Sequence, residues 1–157
     1  ISLVRPHLEF ASTVWNPYLK CDSDIIERIQ KKATRIPTSM SGLEYEERLR
    51  RWGLTKLEVR RKRGDLIQMY KVHNELENIC WSTGPRLAPN TNTRATSNNC
   101  YRLERESFTA RASNDFGHFV SVRHEFFLNR VVNDWNCLAS SQIDAPSLNS
   151  FKARIDK

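Results

Sequence analysis

The chain has 157 residues, a net charge of +7 and 39% hydrophobic residues, which allows one ordinary domain, or a small domain with an appendage, beneath a strongly polar surface. No stretch approaches the roughly 18 consecutive apolar residues of a membrane span, and no basic flank precedes an apolar leader, so neither a membrane segment nor a secretory signal is expected. The positive charge is concentrated, since residues 20–63 hold 13 Lys/Arg against 7 Asp/Glu; such a field suits a polyanion, nucleic acid first, and taken alone suits a soluble basic surface equally well.

In chain order, residues 3–15 place Val4, Leu8, Ala11 and Trp15 on one helical face. Pro6 either opens this helix or kinks it, and Asn16-Pro17 ends it. Asp22 and Ser23 are N-cap residues for a second helix running to Ile36, where Pro37 stops it. Ile25, Ile29, Ala33 and Ile36 form its apolar stripe; Arg28, Lys31, Lys32 and Arg35 form a separate basic one. Ser41 and Glu44 have capping-box spacing ahead of a short helix through Trp52, with Gly53 as its C-cap. Thr55 and Glu58 repeat that spacing and open a longer helix over 56–74, with Val59, Leu66, Tyr70 and either Ile67 or His73 facing the core. Gly64 lies in its middle, where glycine costs about 1 kcal/mol against alanine; a close helix–helix approach there would account for it.

The composition then changes. Residues 78–99 carry Gly84, Pro85, Pro89 and a Thr/Asn-rich run, and read as a linker or long surface loop. Residues 100–122 alternate loosely (Tyr101, Leu103; Phe119, Val120, Val122), a pattern for two short strands or a hairpin. A helix over 124–138 follows, with Phe127, Val131, Trp135 and Leu138 inward, then a last helix from Pro146 with Leu148, Phe151 and Ile155 inward. The expected architecture is mainly α: a small helical bundle (1–77), a linker (78–99), and a C-terminal extension (100–157) of a hairpin and two helices.

Little in the sequence suggests an active site. The four cysteines (Cys21, Cys80, Cys100, Cys137) are scattered, with no zinc-ligand spacing, and read as reduced thiols of an intracellular protein. His7, His73, His118 and His124 are isolated, and the five glycines have no phosphate-loop spacing. No Asp-Asp pair is present, although polymerase chemistry needs carboxylates that share divalent cations; Asp22 and Asp24 suit a helix N-terminus instead. Trp15, Trp52, Tyr70, Phe127, Trp135 and Phe151 all fall at core spacing, so packing is a better reading for them than base stacking.

The basic clusters carry more. Arg28, Lys31, Lys32 and Arg35, with the consecutive Arg60, Arg61, Lys62 and Arg63, would grip phosphates without reading bases, a salt-sensitive contact driven by counterion release. The competing reading is a solvated surface whose charges pair with Glu27, Glu44, Glu46, Glu47 and Glu58.

Two blocks echo each other: SLVRPHLEFASTVWNP near the start and FFLNRVVNDWN near the end each place a Trp-Asn pair (Trp15-Asn16, Trp135-Asn136) after an amphipathic stretch. Together with IIERIQKKATR, YEERLRRWGL, LEVRRKRGDLIQMYKV and APSLNSFKARID, in this order, they resemble the C-terminal end of jockey-like non-LTR retrotransposon reverse transcriptases, over nearly the whole chain except residues 80–120. After Asn136 that family usually has Leu-Pro, where this chain has Cys137-Leu138-Ala139.

The resemblance implies the thumb and following extension of a polymerase whose endonuclease, fingers and palm lie upstream. The parent would copy its RNA into DNA at a nicked chromosomal target, in the nucleus. Its Mg2+-binding aspartates belong to the palm and have no counterpart here, so this chain is expected to hold no cofactor and to be inactive alone. Its expected partners are an RNA–DNA hybrid or other nucleic acid and the parent's palm and fingers. An expressed remnant that binds nucleic acid or protein without catalysis is the alternative, and an unstable remnant without function is a third.

Overall fold

The computed structural model describes residues 3–80, 84–87, 101–105 and 126–157. They are mainly helical, as the periodicity predicts. The helices are α1 (Arg5–Glu9), α2 (Ser12–Trp15), α3 (Lys20–Ala33), α4 (Tyr45–Arg51), α5 (Leu57–His73), α6 (Phe127–Asn136), α7 (Ser140–Ile143) and α8 (Leu148–Ile155), with a 3-10 turn at Thr38–Met40. Two compact units form, Ile1–Gly64 and Asp65–Lys157, and the border between them falls inside α5.

In the first unit, the helix expected over 3–15 is broken in two. Pro6 does sit in the first turn of α1, but the chain leaves the helix at Phe10 and passes through a left-handed Ala11 (φ 50°) before α2. Trp15 is consequently 39% exposed, and its indole Nε1 donates to the Phe10 carbonyl across the break. α3 begins earlier than Asp22 and Ser23 would suggest: Leu19 is its N-cap, without a side-chain bond, and the helix ends at Ala33, ahead of Pro37. No capping box forms at Ser41 and Glu44, because Ser41 Oγ turns back to the Thr38 carbonyl at 2.9 Å. Gly53 does adopt the left-handed conformation (φ 60°) that ends α4 at low steric cost.

α5 corrects two further expectations. Val59 is 53% exposed, while Leu57 is fully buried. Gly64 is not required by a tight helix–helix approach: among the described residues an added Cβ would meet Ser12 Oγ of α2 at an ordinary 3.9 Å.

The second unit is built around Met69, Tyr70, Leu103, Phe127, Val131, Val132, Trp135, Ile143, Ala145 and Phe151. The expected inward residues of α6 and α8 hold: Phe127, Val131, Trp135 and Phe151 are buried, and Leu138, Leu148 and Ile155 pack against them. Phe151 stacks on Tyr70 at 4.3 Å between ring centroids, and the Tyr70 hydroxyl donates to the Ala145 carbonyl at 2.6 Å. α8 starts at Ser147, whose hydroxyl accepts the Ser150 N–H at 3.2 Å. The short α7 between these helices was not foreseen; Gln142 accepts the Ala139 N–H at 2.9 Å and closes its first turn.

Of the expected hairpin, Tyr101 and Leu103 are described, and Leu103 forms an antiparallel bridge with Leu87. Phe119, Val120 and Val122 lie outside the described residues, as does most of the linker. Of Ile67 and His73, Ile67 packs against the core and His73 sets its ring 5.0 Å from Tyr101 and 5.7 Å from Trp135, half-buried.

Because Phe151 is fully buried and bridges Tyr70 to Trp135, Phe151→Ala is expected to destabilise the chain by about 3–5 kcal/mol, read from denaturant unfolding. A loss below about 1 kcal/mol would show that this core is not packed as described.

Candidate nucleic-acid interface

Helix α3 is the element that organises the candidate surface, and its inward face is not the isoleucine stripe. Ile25 is 50% exposed, Ile29 44% and Ile36 78%, whereas Gln30 and Thr34 are buried. The inward face is a polar stripe at the same three-and-four spacing: Ser23, Glu27, Gln30 and Thr34.

Every member of that stripe has a partner. Glu27 accepts the Tyr45 hydroxyl through Oε1 and the Leu57 N–H through Oε2, the latter at 3.0 Å. That amide is one of the donors left over at the start of α5, where a carboxylate also meets the positive end of the helix dipole. Gln30 Nε2 donates to the Tyr45 oxygen at 2.9 Å and the Thr55 carbonyl at 3.2 Å. Thr34 Oγ1 accepts Arg48 Nε at 3.2 Å, and Arg48, itself buried, also bonds the Leu43 carbonyl and lies over the Tyr45 ring. Ser23 Oγ accepts Arg61 at 2.7 Å. Burial, and then the bond to Glu27, push the Tyr45 phenol well above its ordinary range, so it stays a neutral donor.

With its polar face turned inward, α3 leaves both of the other faces in solvent. Arg28, Lys31, Lys32 and Arg35 are all exposed, and none forms an ion pair with another described residue. Lys31 lies 5.7 Å over the Tyr45 ring. Arg28 and Lys31 also line a cleft of about 270 Å³ whose other walls carry both signs of charge, among them Lys20, Asp24, Glu46 and Lys56. The acids of that cleft are engaged: Glu46 holds Lys56 at 2.8 Å and Asp24 holds Lys20 at 3.3 Å.

The second basic cluster has a different fate. Arg60 makes a two-pronged pair with Glu9, at 2.6 and 2.7 Å. Arg61 is only 3% exposed, so burial removes it from any phosphate-facing surface. Lys62 is exposed and pairs with Glu58 at 3.4 Å, and Arg63 is half-buried. Four consecutive residues span more than one side of a helix, and here Arg60 and Arg61 turn toward the rest of the unit.

Asp22 occupies the first turn of α3 and Asp24 pairs with Lys20, so these two carboxylates do not form a Mg2+ site of the kind a polymerase uses. Among the described residues no group of three or more His, Cys, Asp or Glu side chains could hold a metal ion. Cys21, Cys80 and Cys137 are free thiols. Among the described residues no helix is long and apolar enough to cross a membrane.

The second Trp-Asn pair works as a clip. Trp135 is fully buried and donates through Nε1 to the Tyr101 carbonyl at 3.0 Å. The Asn136 amide accepts the Leu103 N–H at 2.9 Å and donates to the Leu103 carbonyl at 3.0 Å, taking the place of a neighbouring strand. The first pair shares only the indole-to-carbonyl bond.

Comparison with protein-family models, with curated proteins and with solved structures gave no match to this chain.

Sequence reasoning placed Glu27 among the acids of a solvated surface and missed that it joins α3 to Tyr45 and Leu57. The available signal was the polar 23–27–30–34 stripe, parallel to the isoleucines and equally periodic.

Two measurements test this arrangement. Glu27→Gln removes the charge that holds the Leu57 N–H and the Tyr45 hydroxyl, and is expected to lower unfolding free energy by about 1–3 kcal/mol; an unchanged denaturation midpoint would refute it. The Glu9 carboxyl is raised by burial but lowered more by its bonds and charge contacts with Arg60 and Arg5, so its pKa lies below the usual 4.5. The folded form therefore gains stability above about pH 4.5 and loses it as pH falls through the depressed value. Wild type and Glu9→Gln should differ in thermal midpoint near neutrality and converge in acid; a gap that persists in acid would rule out this ion pair as the cause.

Proposed function

We propose that this chain is the non-catalytic C-terminal part, thumb and extension, of an RNA-directed DNA polymerase of the jockey-like non-LTR retrotransposon kind, and that it holds the RNA–DNA template–primer by its backbone. One observation carries the binding half of this reading: Arg28, Lys31 and Lys32 on α3, and Arg35 in the turn after it, stand exposed with no carboxylate partner among the described residues. The parent polymerase would supply Mg2+ chemistry from its palm. This chain's own contribution is to neutralise phosphates, which releases condensed counterions and holds the duplex without sequence preference. The place of action would be the nucleus, at chromosomal target DNA.

The division of labour between the basic clusters refines the reading. Arg60 and Arg61 are committed inside the unit, and Lys62 and Arg63 stand beside them, so α3 carries the grip. A second reading, a non-enzymatic module that binds nucleic acid or protein through its helices, is favoured by the exposed isoleucines of the same helix.

Binding of the purified chain to a fluorescent RNA–DNA hybrid tests the proposal. Four phosphate contacts predict a log–log salt slope of about −3 to −4, roughly a hundredfold loss between about 50 and 200 mM salt. Combined reversal to glutamate at Arg28, Lys31, Lys32 and Arg35 should abolish binding, while Lys62→Glu should change it less than about threefold. A flat salt response, or binding that survives the α3 reversals, would overturn it.

A further inference from the structure

We propose that the exposed isoleucine stripe of α3 docks an acidic amphipathic helix from another polypeptide. Ile25 and Ile29 stand one turn apart, 50% and 44% exposed, with Ala33 half-buried a turn further on. Ile36, in the segment after the helix, is 78% exposed. Neighbours at this spacing form a continuous strip on the helix surface, of the sort that accepts anchors at i, i+3 or i+4, and i+7 from a partner helix. Within α3 the strip from Ile25 to Ala33 runs about 12 Å, a little over two turns of contact.

The partner's charge follows from what borders the strip. Successive residues advance about 100° around a helix, which puts Arg28 and Lys32 along one edge of the Ile25–Ile29 strip, one turn apart. Arg35, in the turn that follows, is also exposed. None of the three is paired with a described carboxylate. A helix that covers the isoleucines and carries carboxylates along the facing edge would satisfy both features at once, with edge charges setting its register.

Other occupants fit less well. A two-fold antiparallel pairing of two copies sets each edge against the same edge, bringing Arg28 and Lys32 onto like charges. A bilayer asks for a broad apolar face with bulky or aromatic residues and cations toward the water on both sides; here the strip is narrow, aliphatic and cationic on one edge. Nucleic acid would use the cations and leave the isoleucines uncovered.

The experiment uses the full chain and a synthetic amphipathic peptide with leucines at three-and-four spacing and glutamates along its edges. A second peptide carries lysines in place of the glutamates, and binding is followed by fluorescence anisotropy. The glutamate peptide should bind at least tenfold tighter than the lysine peptide. Ile25→Ser with Ile29→Ser should abolish that binding while hybrid binding is retained, and Arg28→Glu with Lys32→Glu should reverse the peptide preference. Since both isoleucines are exposed, the serine variant is expected to keep the wild-type thermal midpoint. The proposal is overturned if the two peptides bind alike, if binding survives loss of the isoleucines, if sedimentation shows the chain self-associating through this strip, or if anionic vesicles bind the chain and the glutamate peptide does not.

Discussion

The carboxylate of Glu27 joins three helices of the first unit: it stands on α3, takes the hydroxyl of Tyr45 on α4 and caps the first amide of α5 at Leu57. Leaving that amide unpaired in a buried setting would carry the full desolvation penalty of a lost hydrogen bond. α3 can satisfy it only with its polar stripe inward. Once Glu27 faces α5, helical geometry turns Gln30 and Thr34 inward as well, and Arg48 and Tyr45 complete a buried polar network around them. Such networks specify an orientation more sharply than apolar packing, because each unsatisfied member is expensive.

What this orientation does to the surface is the functional consequence. Three faces compete on one helix and only one can be buried. With the polar face inside, α3 presents a row of cations and, beside it, a row of isoleucines. The cations suit a phosphate backbone. The isoleucines are left in water, where exposed aliphatic surface on consecutive turns is a feature of association surfaces rather than of finished exteriors.

The second unit obeys a different constraint. Its core is apolar and aromatic, and side-chain hydrogen bonds tie backbone segments to it. Trp135 and Asn136 hold the backbone of Tyr101 and Leu103, and Tyr70 holds the carbonyl of Ala145. Asp65 and Arg130 form a two-pronged pair at 2.8 Å with both side chains nearly buried. Here side chains fix segments that lack regular secondary structure of their own.

The sequence by itself determined the helical class, the inward faces of α6 and α8 and the concentration of cations between residues 20 and 63. Each of these follows from composition or from an apolar period with no rival on the same helix. It did not determine which face of α3 is buried, since Ile25–Ile29 and Glu27–Gln30–Thr34 repeat with the same period and burial depends on Tyr45, Arg48 and Leu57 reaching one of them. Nor did it separate Arg61, buried on Ser23, from Arg28 in solvent. A charged side chain looks alike in sequence whether it meets water or a hydroxyl from a helix 38 residues away, and only tertiary packing decides which.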